Sequence, residues 1–254
     1  MIKILVVIFA GLALQGCAST MKLSPQALGT QQKIFKEGVE SVISSKRAVV
    51  SVRPASSTHQ SDQCPKIIVS VLNNTNESFN FSTEDIQASD GSHPLKVYTY
   101  DELVAEEKSR AVWAAVGAAL GGAGRSMQAA SSGYTYNSGT AAASAYGNNG
   151  QSAYGYGTYS GYTYNAAAVQ QAQASANAQT NQEIAAINSH TENSLKNLDA
   201  SALKKTTILP QTWYGGTVTI DPAKSTQNPH KITLIVTAAG EQHEFLLNDS
   251  KLEN

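Results

Sequence analysis

Along residues 46–100, apolar side chains recur at every second position or in short runs closed by turn residues. Residues 47–53 stop at Pro54, and residues 66–72 stop at Asn73-Asn74-Thr75-Asn76. Phe79 and Phe81 alternate with polar neighbours, and residues 95–99 follow the turn Asp90-Gly91. The same pattern returns at residues 216–220, 231–238 and 243–247, with Ala239-Gly240 as a turn. Period-two stretches punctuated in this way predict an antiparallel β-sandwich or barrel. Each half holds about four strands and few large apolar residues, too little to bury a core against chain entropy. Residues 46–100 and 206–250 are therefore expected to form one domain.

Between the halves the period changes. Thr99 and Glu102 stand in capping-box spacing at the start of a helix, and Glu106 and Arg110 form an i,i+4 pair. Residues 111–124 are apolar on every side. A second helix is expected over residues 165–205, where Ile184, Ile187, Thr191, Leu195 and Leu198 fall at helical spacing before Pro210 forbids continuation. Residues 101–205 thus read as an αα-hairpin inserted into the sandwich. Trp113, Gly117 and Gly121 are candidate helix-contact residues, because Gly or Ala at four-residue intervals lets helices approach closely. The expected neighbour is the second helix, with self-association or a bilayer as the competing reading.

The tip of that insertion, residues 131–165, holds eight of the eleven tyrosines, set among Gly, Ser, Ala and Asn. The hexapeptide Ser-Gly-Tyr-Thr-Tyr-Asn occurs at 132–137 and again at 160–165, a local duplication. No charged residue occurs from Ser126 to Gln182. Such a tract lacks the aliphatic surface for a core of its own and is expected to be mobile in isolation and adhesive toward similar tracts. Tyr134, Tyr136, Tyr154, Tyr156, Tyr162 and Tyr164 are the candidate interaction residues, since rings supply contact area at low entropic cost. Their targets could be glycans, bases or one another, and the competing reading is a solvated spacer.

Composition reflects that biased tract. Only 15% of the 254 residues are charged, against about 25% in an ordinary soluble domain, and mean hydropathy is -0.23. A net charge of -1 with scattered Lys and Arg gives no reason to expect nucleic acid as the partner.

The N-terminus carries Lys3, an apolar run over residues 4–14, and then Leu14-Gln15-Gly16-Cys17. Eleven residues of helix reach about 16 Å, short of a hydrocarbon core of about 30 Å, so residues 1–16 read as an export signal. The four residues ending in Cys17 resemble the lipobox of bacterial lipoproteins. That resemblance implies cleavage before Cys17, diacylglycerol on its sulfur and a further acyl chain on its amine, enough for stable anchoring. Ala18, where Asp would imply retention in the inner membrane, implies the outer membrane. Residues 17–45 then form a polar tether with Pro25 and a lead-in stretch, residues 31–45, whose pattern suits a short helix or a strand. The strand pattern resembles the immunoglobulin-like sandwiches of exported lipoproteins, including Trp213-Tyr214-Gly215-Gly216 leading into a strand.

With Cys17 acylated, Cys64 is the single remaining thiol and no internal disulfide forms. It reads as a half-buried cysteine or as an intermolecular bridge. The chain has no GxSxG, HExxH or phosphate-binding loop, and no Cys/His cluster with metal spacing. No catalytic residues, metal or cofactor are expected. The expectation is a non-enzymatic binding or assembly module of the envelope, its partners the membrane through the lipid, a protein or envelope component, and a further copy of itself. The alternative is a membrane-active or channel accessory protein using residues 111–124.

Overall fold

A computed structural model describes residues 19–36, 38–91, 93–146, 148, 152–224 and 229–252. The expected export signal and Cys17 lie outside the described residues. Along the chain the first ten strands are β1 (Thr20–Gln26), β2 (Gln32–Lys36), β3 (Val39–Ser45), β4 (Ala48–Pro54), β5 (Thr58–Gln60), β6 (Lys66–Asn73), β7 (Phe79–Phe81), β8 (Ile86–Ser89), β9 (Pro94–Leu95) and β10 (Val97–Tyr98). Helix α1 (Tyr100–Ser131), β11 (Tyr134–Tyr146), β12 (Ser152–Tyr164) and helix α2 (Ala166–Ser201) follow. Then come β13 (Thr206–Ile208), β14 (Trp213–Ile220), β15 (His230–Ala238) and β16 (Glu241–Lys251). The chain is mainly β with two helices, and it divides into two units. One comprises the residues up to Leu103 and from Leu198, the other residues Val104–Asn197.

The first unit is built from two six-stranded sheets, ordered β5-β1-β16-β15-β8-β9 and β10-β14-β6-β4-β3-β2, with antiparallel pairing between neighbours. Period-two burial explains them. In β4 Ala48, Val50 and Val52 point inward, in β6 Ile67, Val69 and Val71, and in β15 Ile232, Leu234 and Val236, all at 0% exposure. These side chains form one apolar core with Phe81, Val218, Ile220, Phe245 and Leu247, while the intervening residues face outward. Both sheets combine strands from before and after the insertion: β16 and β15 stand between β1 and β8, and β14 stands between β6 and β10.

Residues 20–45, expected as tether and lead-in, instead supply three strands. β1 turns Met21 and Leu23 inward and pairs with β16, Met21 lying opposite Lys251. Pro25, taken as a tether signal, sits where β1 has β16 on one side only. β5 covers just Thr20 to Lys22, and an edge position tolerates a residue without an N–H. The stretch that fitted helix or strand is strand, because Val42 packs in the core and Ser41 and Ser44 are buried beside it.

Polar groups fix the connections. Asn73 is fully buried at the end of β6; its amide donates to the carbonyls of Glu77 (2.7 Å) and Ile208 (3.0 Å), and its Oδ1 accepts from Thr75 N (2.9 Å). The Asn-rich turn is thereby tied to β13. At the start of α1 the capping box is formed: Glu102 N donates to Thr99 Oγ1 (3.2 Å), and Thr99 N donates to Glu102 Oε2 (2.9 Å). That backbone hydrogen bond, with Lys96 at 2.9 Å, holds the Glu102 carboxyl below the usual range. Where the chain leaves α2, Leu203 is buried in the core at 1% exposure, and Ala202 bridges to Thr217. Gly216 permits this approach, since a Cβ there would stand 2.7 Å from backbone atoms of Leu203.

Candidate interaction surface

The second unit is made of α1, α2 and the hairpin between them. The helices meet along a seam of small residues: Gly122 and Ala129 are buried on α1, Val169 and Ala176 on α2, each pair seven residues apart. A Cβ on Gly122 would lie 2.5 Å from Thr180 Oγ1, so this glycine sets the spacing of the helices. Three residues on, Arg125 reaches across to Glu183 (2.6 and 2.9 Å) and Thr180 (3.3 Å). The guanidinium holds the Glu183 carboxyl below its ordinary range. Glu107 faces His190 at 4.0 Å, so the helices run antiparallel in register.

The candidate helix-contact residues stand elsewhere. Nothing lies within 4 Å of a Cβ on Gly117, and Gly121 would meet only Arg125 Nη2 at 3.9 Å. Trp113 is 72% exposed. These residues lie on the far side of α1, one hundred degrees per residue around from the seam. Around them stand Val112, Val116, Leu120 and Met127, the last two 70% and 79% exposed. The large apolar side chains between Val112 and Met127 thus face away from α2, while Ala and Gly face it. All-round apolar character over residues 111–124 hid this inversion, because periodicity cannot choose between faces that are both apolar.

The tyrosine tract forms strands. β11 and β12 pair in unbroken antiparallel register from Tyr134 opposite Tyr164 to Tyr146 opposite Ser152. The duplicated hexapeptide accounts for the register: read antiparallel, its two Tyr-x-Tyr motifs fall opposite one another. Rings of Tyr134 and Tyr164 stand 5.0 Å apart, and those of Tyr136 and Tyr162 5.2 Å apart and edge-on. On the other face the Asn137 amide donates to Thr163 Oγ1 at 2.7 Å. Alternation gives the ribbon two unlike faces. Tyr134, Tyr136, Tyr146, Tyr154, Tyr156, Tyr162 and Tyr164 share one, all exposed. The other carries Ala and Gly, with Tyr159 lying over Gly139, where a Cβ would come within 2.7 Å of the phenol oxygen. All six candidate tyrosines therefore stand on one face; Tyr146 belongs with them and was not singled out from sequence.

Neither strand contains a charged side chain or a proline. Among the described residues β11 and β12 pair only with each other, so each presents an outer edge of thirteen residues. Charge and proline are the usual guards of exposed edges, and here both are missing.

No family model, curated protein or solved structure gives a significant match to this chain. The chemistry must be read from the residues themselves. Among the described residues, no three His, Cys, Asp or Glu side chains are grouped to hold a metal ion, and no helix is long and apolar enough to cross a membrane. Cys64 is half-buried and lines a cleft with His59 and Lys66.

A feature that sequence reading missed lies on the outer face of β2, β3, β4, β6 and β14. A groove of about 580 Å³ runs over Ile34, Ile43 and Ile68, with Lys36, Arg53 and Trp213 among its lining residues. Trp213 was read only as a lead into a strand. Its exposure of 56% could not be anticipated from a pattern in which aromatic residues are counted as core.

Proposed function

We propose that this chain is a bacterial outer-membrane lipoprotein, a non-enzymatic binding or assembly module anchored through acylated Cys17. The observation that carries the reading is Leu14-Gln15-Gly16-Cys17 at the end of a short apolar run, with β1 starting three residues later at Thr20. The two-sheet body would then follow the lipid without a spacer, and we read its architecture as akin to the immunoglobulin-like domains of exported lipoproteins. The body serves as scaffold, and the helices carry an adhesive, charge-free hairpin whose exposed rings are the binding groups. A lipid on one unit and uncharged tyrosines on the other suit a protein that joins an envelope component to the membrane surface.

The test is metabolic labelling with an acyl probe. The wild-type chain should take up label and fractionate with outer membranes, whereas Cys17→Ser should take up none and persist as precursor. Labelling of the mutant would remove the lipoprotein reading. The second reading, an oligomeric channel or secretion accessory using residues 111–124, is favoured by the exposed row of Val112, Trp113, Val116, Leu120 and Met127. It calls for that row to meet lipid or protein.

A further inference from the structure

Two unsatisfied surfaces occur in the second unit, and both lie on its flanks. The first is the apolar row of α1. Val112, Trp113, Val116, Leu120 and Met127 together leave on the order of 600 Å² of side chain in water, the upper end of what monomers expose in one patch. Covered by a partner, such a row buries about 1,200 Å² in total, the lower bound of a stable specific interface, before the hairpins add anything. The second surface is the pair of open edges on β11 and β12. A two-stranded ribbon is marginally stable on its own, and every residue of β12 is exposed.

We propose that the partner of this unit is a second copy of the same chain, joined head to tail: the apolar row of α1 packs on the outer face of α2 of the next copy, and β11 pairs with the next copy's β12. The outer face of α2 fits that role. Half a turn from its buried Val169 and Ala176 stand Ala167, Ala174, Ala178 and Ala185, all exposed and falling on one line by helical spacing. A row of large side chains thus has a row of small ones to enter. The heights agree as well. Gly122 faces Thr180 across the antiparallel seam, which sets Leu120 level with Gln182 within the pair, one turn from Ala178 and inside the span from Ala178 to Ala185. One operator satisfies both contacts, because α1 runs into β11 and β12 runs into α2, placing donors of the contact on one flank and acceptors on the other. No charge between Ser126 and Gln182 opposes it. Adjacent hairpins continue a single antiparallel sheet with the tyrosines on one face, and a head-to-tail contact closes as a ring or extends as a filament.

The inference rests on the reading of the chain as an assembly module, and it names what is assembled; it does not depend on the lipid. Sedimentation velocity of the full-length chain in mild detergent at micromolar concentration is expected to show a species of several copies. Leu120→Glu and Ala178→Lys, both on exposed positions, should each lower association at least tenfold while leaving the far-ultraviolet spectrum unchanged. Mixing the two variants should restore it, since a head-to-tail row can alternate them with Glu beside Lys at one contact and the native residues at the other. Prolines at Ala142 and, separately, Ala143 delete N–H groups aimed at opposite edges. The one at the outer edge should weaken association with helix content intact. A wild-type chain that stays monomeric, variants that assemble as well as wild type, or a mixture that fails to recover would each overturn the proposal. Loss of acyl labelling alone would overturn the anchoring and leave the assembly standing.

Discussion

Gly117 and Gly122 lie five residues apart on α1 and should respond oppositely to a larger side chain. At Gly122 a leucine must displace Thr180, a β-branched side chain with little freedom, so the expected cost is about 1 to 3 kcal/mol of overpacking. At Gly117 an alanine meets nothing and gains about 1 kcal/mol of helix propensity. Thermal melts of the two single variants give the signs: Gly122→Leu lower, Gly117→Ala equal or higher. Two histidines of the body form a second opposed pair. His59 Nε2 lies 2.9 Å from Asp249 Oδ1, and that hydrogen bond raises its pKa above the ordinary 6.5 despite partial burial. Its contribution is complete below pH 6.5 and is lost as pH rises through the raised value. His243 is fully buried, with Nδ1 on Ser44 Oγ at 3.0 Å, and burial, helped by Lys46, lowers its pKa. Its neutral ring stabilises the fold above pH 6.5, and that contribution is lost as pH falls through the lowered value. In melting temperature measured from about pH 5 to 8, His59→Asn should flatten the alkaline decline and His243→Gln the acid decline. A single unchanged profile in both variants would mean neither ring titrates with folding.

At the scale of elements, legibility followed the strength of the local signal. The capping box at Thr99 and Glu102 was readable because it is a property of four residues, and the strands β4, β6, β15 and β16 because their inward positions are mostly Val, Ile, Leu or Phe. The hairpin escaped for the opposite reason. Its alternation sets Tyr, Ser and Thr against Ala and Gly, which an apolar/polar scale ranks as mixed on both faces, and its composition counts toward disorder. The duplicated hexapeptide was visible, but its consequence depended on the two copies pairing antiparallel, a fact of topology. β1 failed to read as a strand because the strand it pairs with, β16, lies more than two hundred positions away. The seam of α1 was misplaced because Gly122 and Gly121 are equivalent in composition and differ only by one hundred degrees of rotation.

For the molecule as a whole, the division at Leu103 and Leu198 sets where the insertion can be cut. Removing all of residues 101–205 would take Leu203 out of the core, a loss that in comparable sites costs about 2 to 5 kcal/mol. Replacing residues 104–197 by a short Gly/Ser linker spares it, and the product is expected to keep its strand signal and melt in one sharp transition. Longer loops cost only about 0.6 kcal/mol per doubling, so the natural insertion strains the body little. A product without a cooperative melt would show that the helices hold the sheets together. The same topology imposes an order in time. Apart from the short β5 beside Thr20 to Lys22, the first strand pairs with the last, Met21 against Lys251 and Gln26 against Leu246. At about 5 to 20 residues per second, a ribosome completes β16 roughly 10 to 50 s after β1. Throughout that interval the body has no way to close, whereas the helices and hairpin, whose contacts are local, already have theirs. The body therefore stays open until β16 has been made, the state in which a protein can be threaded through a narrow translocation pore.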